Sequence, residues 1–358
     1  MSDSIQIVNC HIHTFTADHV PRDFPYVWLR PFRKAPGLIL ALSRLALWLG
    51  RERLADRLER LYQFQQQGVR ASQAEVLQDV KRHYPSNTRF VVLPMDMAGI
   101  GYGPVAADLR AQHDELYELR LSEAHFGTVV PFATVNPLAP GSVDEALRAI
   151  TELGFEGLKI YPRLGFPPDH PDLMERVYPE VVARGLPVMT HCSRGGVQGR
   201  DVDDYFADLY TRPAAYLPVL RAFPEMRLCL AHFGGQTDWR AYAQGTEPAG
   251  EDNWQVQIRR MIGSGDFPNL WTDISYTLFH FDDYIPFLRL FLAGNGPEDK
   301  AADLLRQRVL FGSDFYMTRQ ENLSEKEVCF RLRNALGEET FRQIAEQNPV
   351  CWLQGDAA

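Results

Sequence analysis

The sequence predicts an α/β chain in which eight parallel strands, each followed by helix, close into a (β/α)8 barrel. Three observations carry that expectation. Apolar, β-rich runs alternate with helical stretches, the pattern of repeated βαβ units. Polar residues gather at the C-terminal ends of those runs, where a closed barrel collects chemistry into one mouth. The glycine signatures of open nucleotide-binding sheets are missing, since no G-x-G-x-x-G opens the first helix and no G-x-x-x-x-G-K-[ST] occurs.

The first strand is read in Ile5 to Phe15, IQIVNCHIHTF. Alternation turns His11 and His13 the same way with Ile12 opposite, so two imidazoles aim at one point past the strand end. Two histidines in core positions can also be structural, so the pair becomes a metal signature only with partners. Residues 19–86 follow as a helical insertion or cap, carried by RERLADRLERLYQFQQQG and ASQAEVLQDVKRHY. Leaving the barrel beside the site, it could shield the mouth from water. Within it, Gly37 to Gly50 (GLILALSRLALWLG) is strongly apolar, yet too short to span a bilayer and interrupted by Arg44. A packed helix is expected there, with a lid, a subunit interface or a surface anchor as the other readings.

From residue 87 the alternation is regular. RFVVLPMDM precedes a helix over about 105–125, VVPFATVN precedes one over about 142–153, and GLKIYP, PVMTHCS, RLCLAHFGG, NLWTDISY and VLFGSDF continue the series. With the first strand that makes eight. No second core begins between 87 and 353, so residues 1–358 are expected to form a single barrel domain carrying the 19–86 insertion.

The bulk numbers suit a small-molecule protein. The chain has 358 residues, 45% hydrophobic and 23% charged, with a net charge of −9 and no long basic block, so nothing invites nucleic acid or an anionic membrane. No stretch is long enough for a membrane span. Five cysteines without C-x-x-C spacing, behind an N-terminus lacking a basic-then-apolar leader, lead to a cytoplasmic expectation. Self-association is left open, although helix 37–50 could make a dimer contact.

At the strand ends stand His11 and His13 after the first, Lys159 within the fourth, His191 after the fifth, His232 after the sixth and Asp314 after the eighth. Each would be a costly burial without a partner, and together they read as a metal cage. The motifs HIH, GLKIYP, THCS, AHFGG and FGSD, in this order on eight strands, resemble the amidohydrolase superfamily of metal-dependent TIM barrels. With the terminal EQNPVCWL they are similar to its amidohydrolase-2-like branch, which mixes small-molecule hydrolases with zinc-dependent decarboxylases. The resemblance covers most of the chain except 19–86.

It implies that His11, His13 and Asp314 bind a metal, that His191 is a further ligand, and that His232 is a second-metal ligand or an acid–base partner. One or two zinc ions suit imidazole and carboxylate, with manganese for a harder site. Such an ion lowers the pKa of water from about 15.7 to about 7, and Asp314 would take that proton and pass it to the leaving group. Lys159 resembles the lysine that some members carboxylate to bridge two metals. Otherwise it must turn away or pair with an acid, because a free ammonium beside a metal is repelled.

Substrate-reading candidates are Asn136, Tyr161, Arg163, Arg194, Asp238, Trp239 and Tyr276, with the two arginines suited to gripping a carboxylate or else bracing loops. Asp96 and Asp273 could orient ligand histidines or cap loops. Cys10 and Cys192 are expected to face away from the barrel interior, and His280 is a substrate-loop candidate. The function expected from the resemblance is metal-dependent hydrolysis of an amide, cyclic amide, ester or lactone of a small substrate that carries a carboxylate in one reading. The rivals are non-oxidative decarboxylation of an aromatic or unsaturated acid, and a non-catalytic metal-binding barrel.

Overall fold

A computed structural model describes residues 5–355 apart from 25, 28, 29, 34, 278–280, 297, 316 and 321–323. At its centre is a ring of parallel strands: β1 (Val8–Ile12), β2 (Arg89–Val92), β3 (Val129–Pro131, continued by Ala133–Val135) and β4 (Leu158–Ile160) in the first half. The second half supplies β5 (Val188–Thr190), β6 (Leu228–Leu230), β7 (Leu270–Asp273) and β8 (Val309–Leu310). Each pairs in parallel with the next. The two segments of β3 act as one strand: Phe132 N donates to Val92 O on one side and Ala133 N to Gly157 O on the other.

Between β8 and β1 the ring closes. Cys10 N donates to Phe311 O at 2.9 Å and Asp314 N to His11 O at 2.8 Å, and Ile12 bridges in parallel to Phe315. Closure removes the sheet edges, which is why strands of two to five residues suffice. The eight-stranded barrel expected from the alternation is therefore present.

One apolar cluster fills the barrel, with Val8, Cys10, Val91, Val130, Phe132, Met189, Cys229, Trp271 and Leu310 from the strands and Trp352 from the helix Asn348–Gln354. A larger cluster joins the outward residues, such as Val92, Ile160 and Val188, to surrounding helices through Ala146, Val181 and Ile258. Cys192 packs in this outer layer, as alternation predicts. Cys10 does not. The register of β1 against β2 shifts between Asn9 and Ile12, so Cys10 and His11 together oppose one residue, as in a β-bulge. Strict alternation fails there and both side chains face inward.

Within residues 19–86 the helices Gly37–Trp48 and Glu52–Gly68 pack as a hairpin and Gln73–Lys81 follows them. Ser43 Oγ pins the hairpin by donating to Ala55 O at 2.8 Å. The helix expected over 105–125 is shorter, Leu109–Leu121, because the Asp108 carboxylate accepts from Ala111 N and caps its start. Among the described residues no helix is long and apolar enough to cross a membrane.

Candidate active site

The bulge and the barrel closure are what assemble the site. Asn9, buried among apolar neighbours, donates from Nδ2 to Ser313 Oγ at 2.9 Å and accepts at Oδ1 from Ser313 N at 3.1 Å. That clamp fixes the turn carrying Asp314 against the strand carrying His11. A Cβ on Gly312 would lie 2.8 Å from the His11 Cβ, so the close approach requires glycine. Asp314 itself has φ 64°, and His232 φ 68°. Such left-handed conformations are costly for residues with a Cβ and are characteristic of functional turns.

His11 and His13 each hold Nδ1 in a hydrogen bond, to Asp273 Oδ2 at 2.7 Å and to Leu93 O at 2.8 Å, which turns Nε2 into the mouth. There Asp314 Oδ1 lies 3.7 Å from His11 Nε2 and 3.2 Å from His13 Nε2. Tetrahedral ligands about 2.1 Å from an ion stand roughly 3.4 Å apart, so the trio is spaced for one divalent metal. His11 Nε2 is moreover buried without a hydrogen-bond partner among the described residues, a lone donor atom aimed at the same point. The residues present fit the metal that the sequence implies.

A second trio, His11, His232 and Asp273, is also close enough to ligate. Its atoms already satisfy one another: Asp273 takes His11 Nδ1 on one oxygen and the His232 backbone N–H, at 2.7 Å, on the other. Asp273 therefore orients two histidines, one of the two roles the sequence allowed it. Asp96 takes the alternative role, accepting from Ala98 N at 3.1 Å in its own loop.

Burial lowers His11 to about 3, helped by the charge of Lys159. A neutral imidazole is the form that ligates. At Asp314 burial pushes upward, but the hydrogen bond with His13 and the neighbouring His11 and His232 imidazoles outweigh it and hold the carboxyl below its ordinary value. Lys159, in register with Met189, points into the barrel. Burial brings its amine down to about 8 against the pull of Asp273 and Asp314. Its Nζ has no hydrogen-bond partner among the described residues and lies 6.0 Å from the centre of the Tyr161 ring.

His191 sits outside the donor trio and beside His232, its Nδ1 3.1 Å from His232 Nε2. Its Nε2 is 3.1 Å from Gly195 O, and its ring stacks on Tyr161 at 4.3 Å between centroids. Burial lowers both histidines, and at His191 the neighbouring His232 adds to the effect. Both rings and the trio line one cavity of about 330 Å³, whose other walls include Phe15, Phe24, Phe64, Met95, Met97, Tyr161, Tyr276 and Met317.

Of the substrate-reading candidates, Tyr161, Tyr276 and Arg194 line this cavity and Arg163, Asn136, Asp238 and Trp239 do not. Arg163 pairs with Asp208 at 2.5 Å and with Gln198 at 2.9 Å. Arg194 is engaged as well, by Asp238 at 3.0 Å and Asp208 at 3.3 Å, with its plane over Trp254. Asn136 Oδ1 accepts from Leu138 N, and Trp239 Nε1 donates to Phe233 O in the core. His280 lies outside the described residues. The residues not anticipated are Asn9, Ser275, whose hydroxyl lies 2.9 Å from His232 Nδ1, and Phe24 and Phe64 from residues 19–86. Asn9 left a signal, an amide inside an apolar run; Phe64 left none, because the helix bearing it contacts the mouth only in three dimensions.

A family model described as Amidohydrolase matches residues 9–353. No curated protein matches the chain. Among solved structures, an uncharacterised TIM-barrel protein from Bordetella bronchiseptica superposes with a TM-score of 0.55 at 16% identity, covering 98% of this chain and 99% of that one. A 5-carboxyvanillate decarboxylase from Sphingomonas paucimobilis gives 0.53 at 15% identity over 98% and 99%. Its counterpart from Novosphingobium aromaticivorans, complexed with manganese and 4-hydroxy-3-methoxy-5-nitrobenzoic acid, gives 0.55 at 12% over 99% and 97%. At these identities the likeness establishes the barrel fold.

Proposed function

The chain belongs to the amidohydrolase family, and from that premise we propose that it is a single-ion enzyme that decarboxylates a small aromatic or unsaturated acid without oxidation. His11, His13 and Asp314 hold the ion, zinc with manganese as the alternative. Bound there, it supplies Lewis acidity for a substrate's oxygen atoms. The observation that carries the reading is the His191–His232 pair, two buried imidazoles 3.1 Å apart on the cavity wall. A hydrogen bond between them requires that one nitrogen carry the proton and the other accept it.

His232 delivers a proton to the substrate carbon as the carboxyl group departs as carbon dioxide, and the carbon keeps the electron pair of the broken bond. His191 restores the proton through the same contact and regains one from solvent, so each carbon dioxide released consumes one solvent proton. Phe15, Phe64, Met95 and Met97 keep water from that carbon, and the aromatic walls suit a flat ring. Ser275 fixes the His232 ring, its oxygen lying 2.9 Å from Nδ1, while Asp273 holds the His232 backbone N–H and accepts the Ser275 hydroxyl. All five cysteines are free, which supports a reducing compartment such as cytoplasm.

Hydrolysis, the first expectation from sequence, stands as the second reading. It is favoured by Asp314, whose carboxyl is held ionised and could accept a proton from water. Lys159 is read as unmodified, since the donor trio supports one ion rather than a lysine-bridged pair. Turnover of a panel of aromatic acids and lactones in deuterated, ¹⁸O-labelled water separates the reactions. Carbon dioxide with deuterium on the product carbon supports decarboxylation, whereas ¹⁸O in the product without carbon dioxide establishes hydrolysis. Replacement His232→Asn should abolish the first while the ion stays bound; no turnover of any panel member by the metal-loaded protein favours the scaffold.

A further inference from the structure

The helical hairpin over the mouth has a face that the catalytic reading does not use. Leu38, Leu42, Leu45 and Leu49 recur at helical spacing, which places them within about 60° of one another around the first helix. Leu38 is 52% exposed, Leu45 49%, Leu49 57% and the adjacent Trp48 81%. The helix's fully buried face is Ile39, Ser43 and Ala46, and the leucine stripe lies on the other side, about half open to solvent. Large apolar residues scattered singly are ordinary, but a contiguous stripe on a surface helix marks a contact.

Charge tells what the contact is. Residues 19–86 carry twelve lysines and arginines against six acidic residues, a net +6 in a chain of net −9, and the hairpin 37–68 within them carries five arginines against three acidic residues, a net +2. Arg44, Arg51, Arg53 and Arg57 on the hairpin are exposed and make no ion pair among the described residues. A second copy of this chain would bring the same cations against themselves in a two-fold contact. An anionic lipid surface is complementary to both features, with leucine and tryptophan seated at the acyl boundary and arginines on phosphates.

We propose that the hairpin 37–68 is an in-plane docking element for anionic membranes. It does not span the bilayer; it lies on it. Phe64, on the second helix of the same hairpin, lines the catalytic cavity, so docking sets the mouth at the lipid surface. Because the charges sit on an insertion within an acidic barrel, net charge conceals them, and the proposal takes up the surface-anchor reading of residues 37–50.

The test is sedimentation of the metal-loaded full chain with vesicles of phosphatidylcholine containing phosphatidylglycerol at zero or three parts in ten, with tryptophan emission followed in parallel. Binding should appear with the anionic vesicles, weaken steeply with added salt, and shift the emission to the blue, a shift absent in Trp48→Phe. Leu42→Glu with Leu45→Glu, both exposed, should lower the partition at least tenfold while circular dichroism and metal content stay unchanged. Arg51→Gln with Arg53→Gln and Arg57→Gln should remove the preference for the anionic lipid. No binding to either vesicle overturns the proposal, as does equal binding to both. A dimer in solution that Leu42→Glu with Leu45→Glu converts to monomer overturns it too, by assigning the stripe to a second copy.

Discussion

Lys159 gives the sharpest energetic test of how the barrel interior is charged. Its amine is brought from 10.5 to about 8 by burial, which at ~1.4 kcal/mol per pKa unit corresponds to about 3 kcal/mol. Below pH 8 the group is charged in both folded and unfolded chains, and the full cost falls on the folded state. As pH rises past 8 the folded chain sheds the proton, the cost shrinks, and it is gone above 10.5. Lys159→Met nearly conserves volume while removing the ammonium. In the chelator-treated protein it should therefore stabilise by about 3 kcal/mol at pH 7, with the advantage fading towards pH 10.5. Urea unfolding at several pH values measures this. A destabilised variant, or an advantage independent of pH, would refute the reasoning; so would an added carboxyl mass on wild-type Lys159 together with metal loss in the variant.

Further predictions concern the groups that hold the site. Asp273→Asn should keep the fold but weaken metal binding about 10- to 100-fold in a chelator competition, because His11 loses its orienting carboxylate. Gly196→Ala should lower turnover without lowering metal content, since the new Cβ would fall 2.4 Å from the Tyr161 hydroxyl and 3.2 Å from His191 Nε2 at φ +109°; unchanged kinetics would contradict the role given to the His191 stack. At Glu145 burial pushes upward but is outweighed by the hydrogen bonds to His113 and Arg148, leaving the carboxyl at about 2. The stability this supplies is present above the unfolded value and lost as pH falls through about 2. Glu145→Gln should cost about 2 kcal/mol at pH 7, with the difference disappearing on acidification in denaturant titrations.

Much of this was legible in the sequence because the barrel places polar residues where apolar runs end, and an apolar run with a polar terminus is a local signal. His11, His13 and Asp314 converge as their strand-end positions imply. What was not legible depends on register and on distant contacts. The bulge at Cys10 breaks the two-residue period that assigned it outward. Arg163 and Trp239 follow strand ends as a substrate-reading residue would, yet the partners that draw them away, Asp208 for the first and the rings of Tyr284 and Phe291 for the second, lie on elements whose approach no local pattern encodes. The orientation of His191 towards His232 is likewise a product of packing against Tyr161.

The account stands on one divalent ion held by His11, His13 and Asp314. Elemental analysis of protein purified without chelator, set beside His13→Ala, tests it most directly. One zinc or manganese per chain in the wild type and less than a tenth of that in the variant is the predicted result. Two ions per chain, or an ion retained in full by the variant, would contradict it.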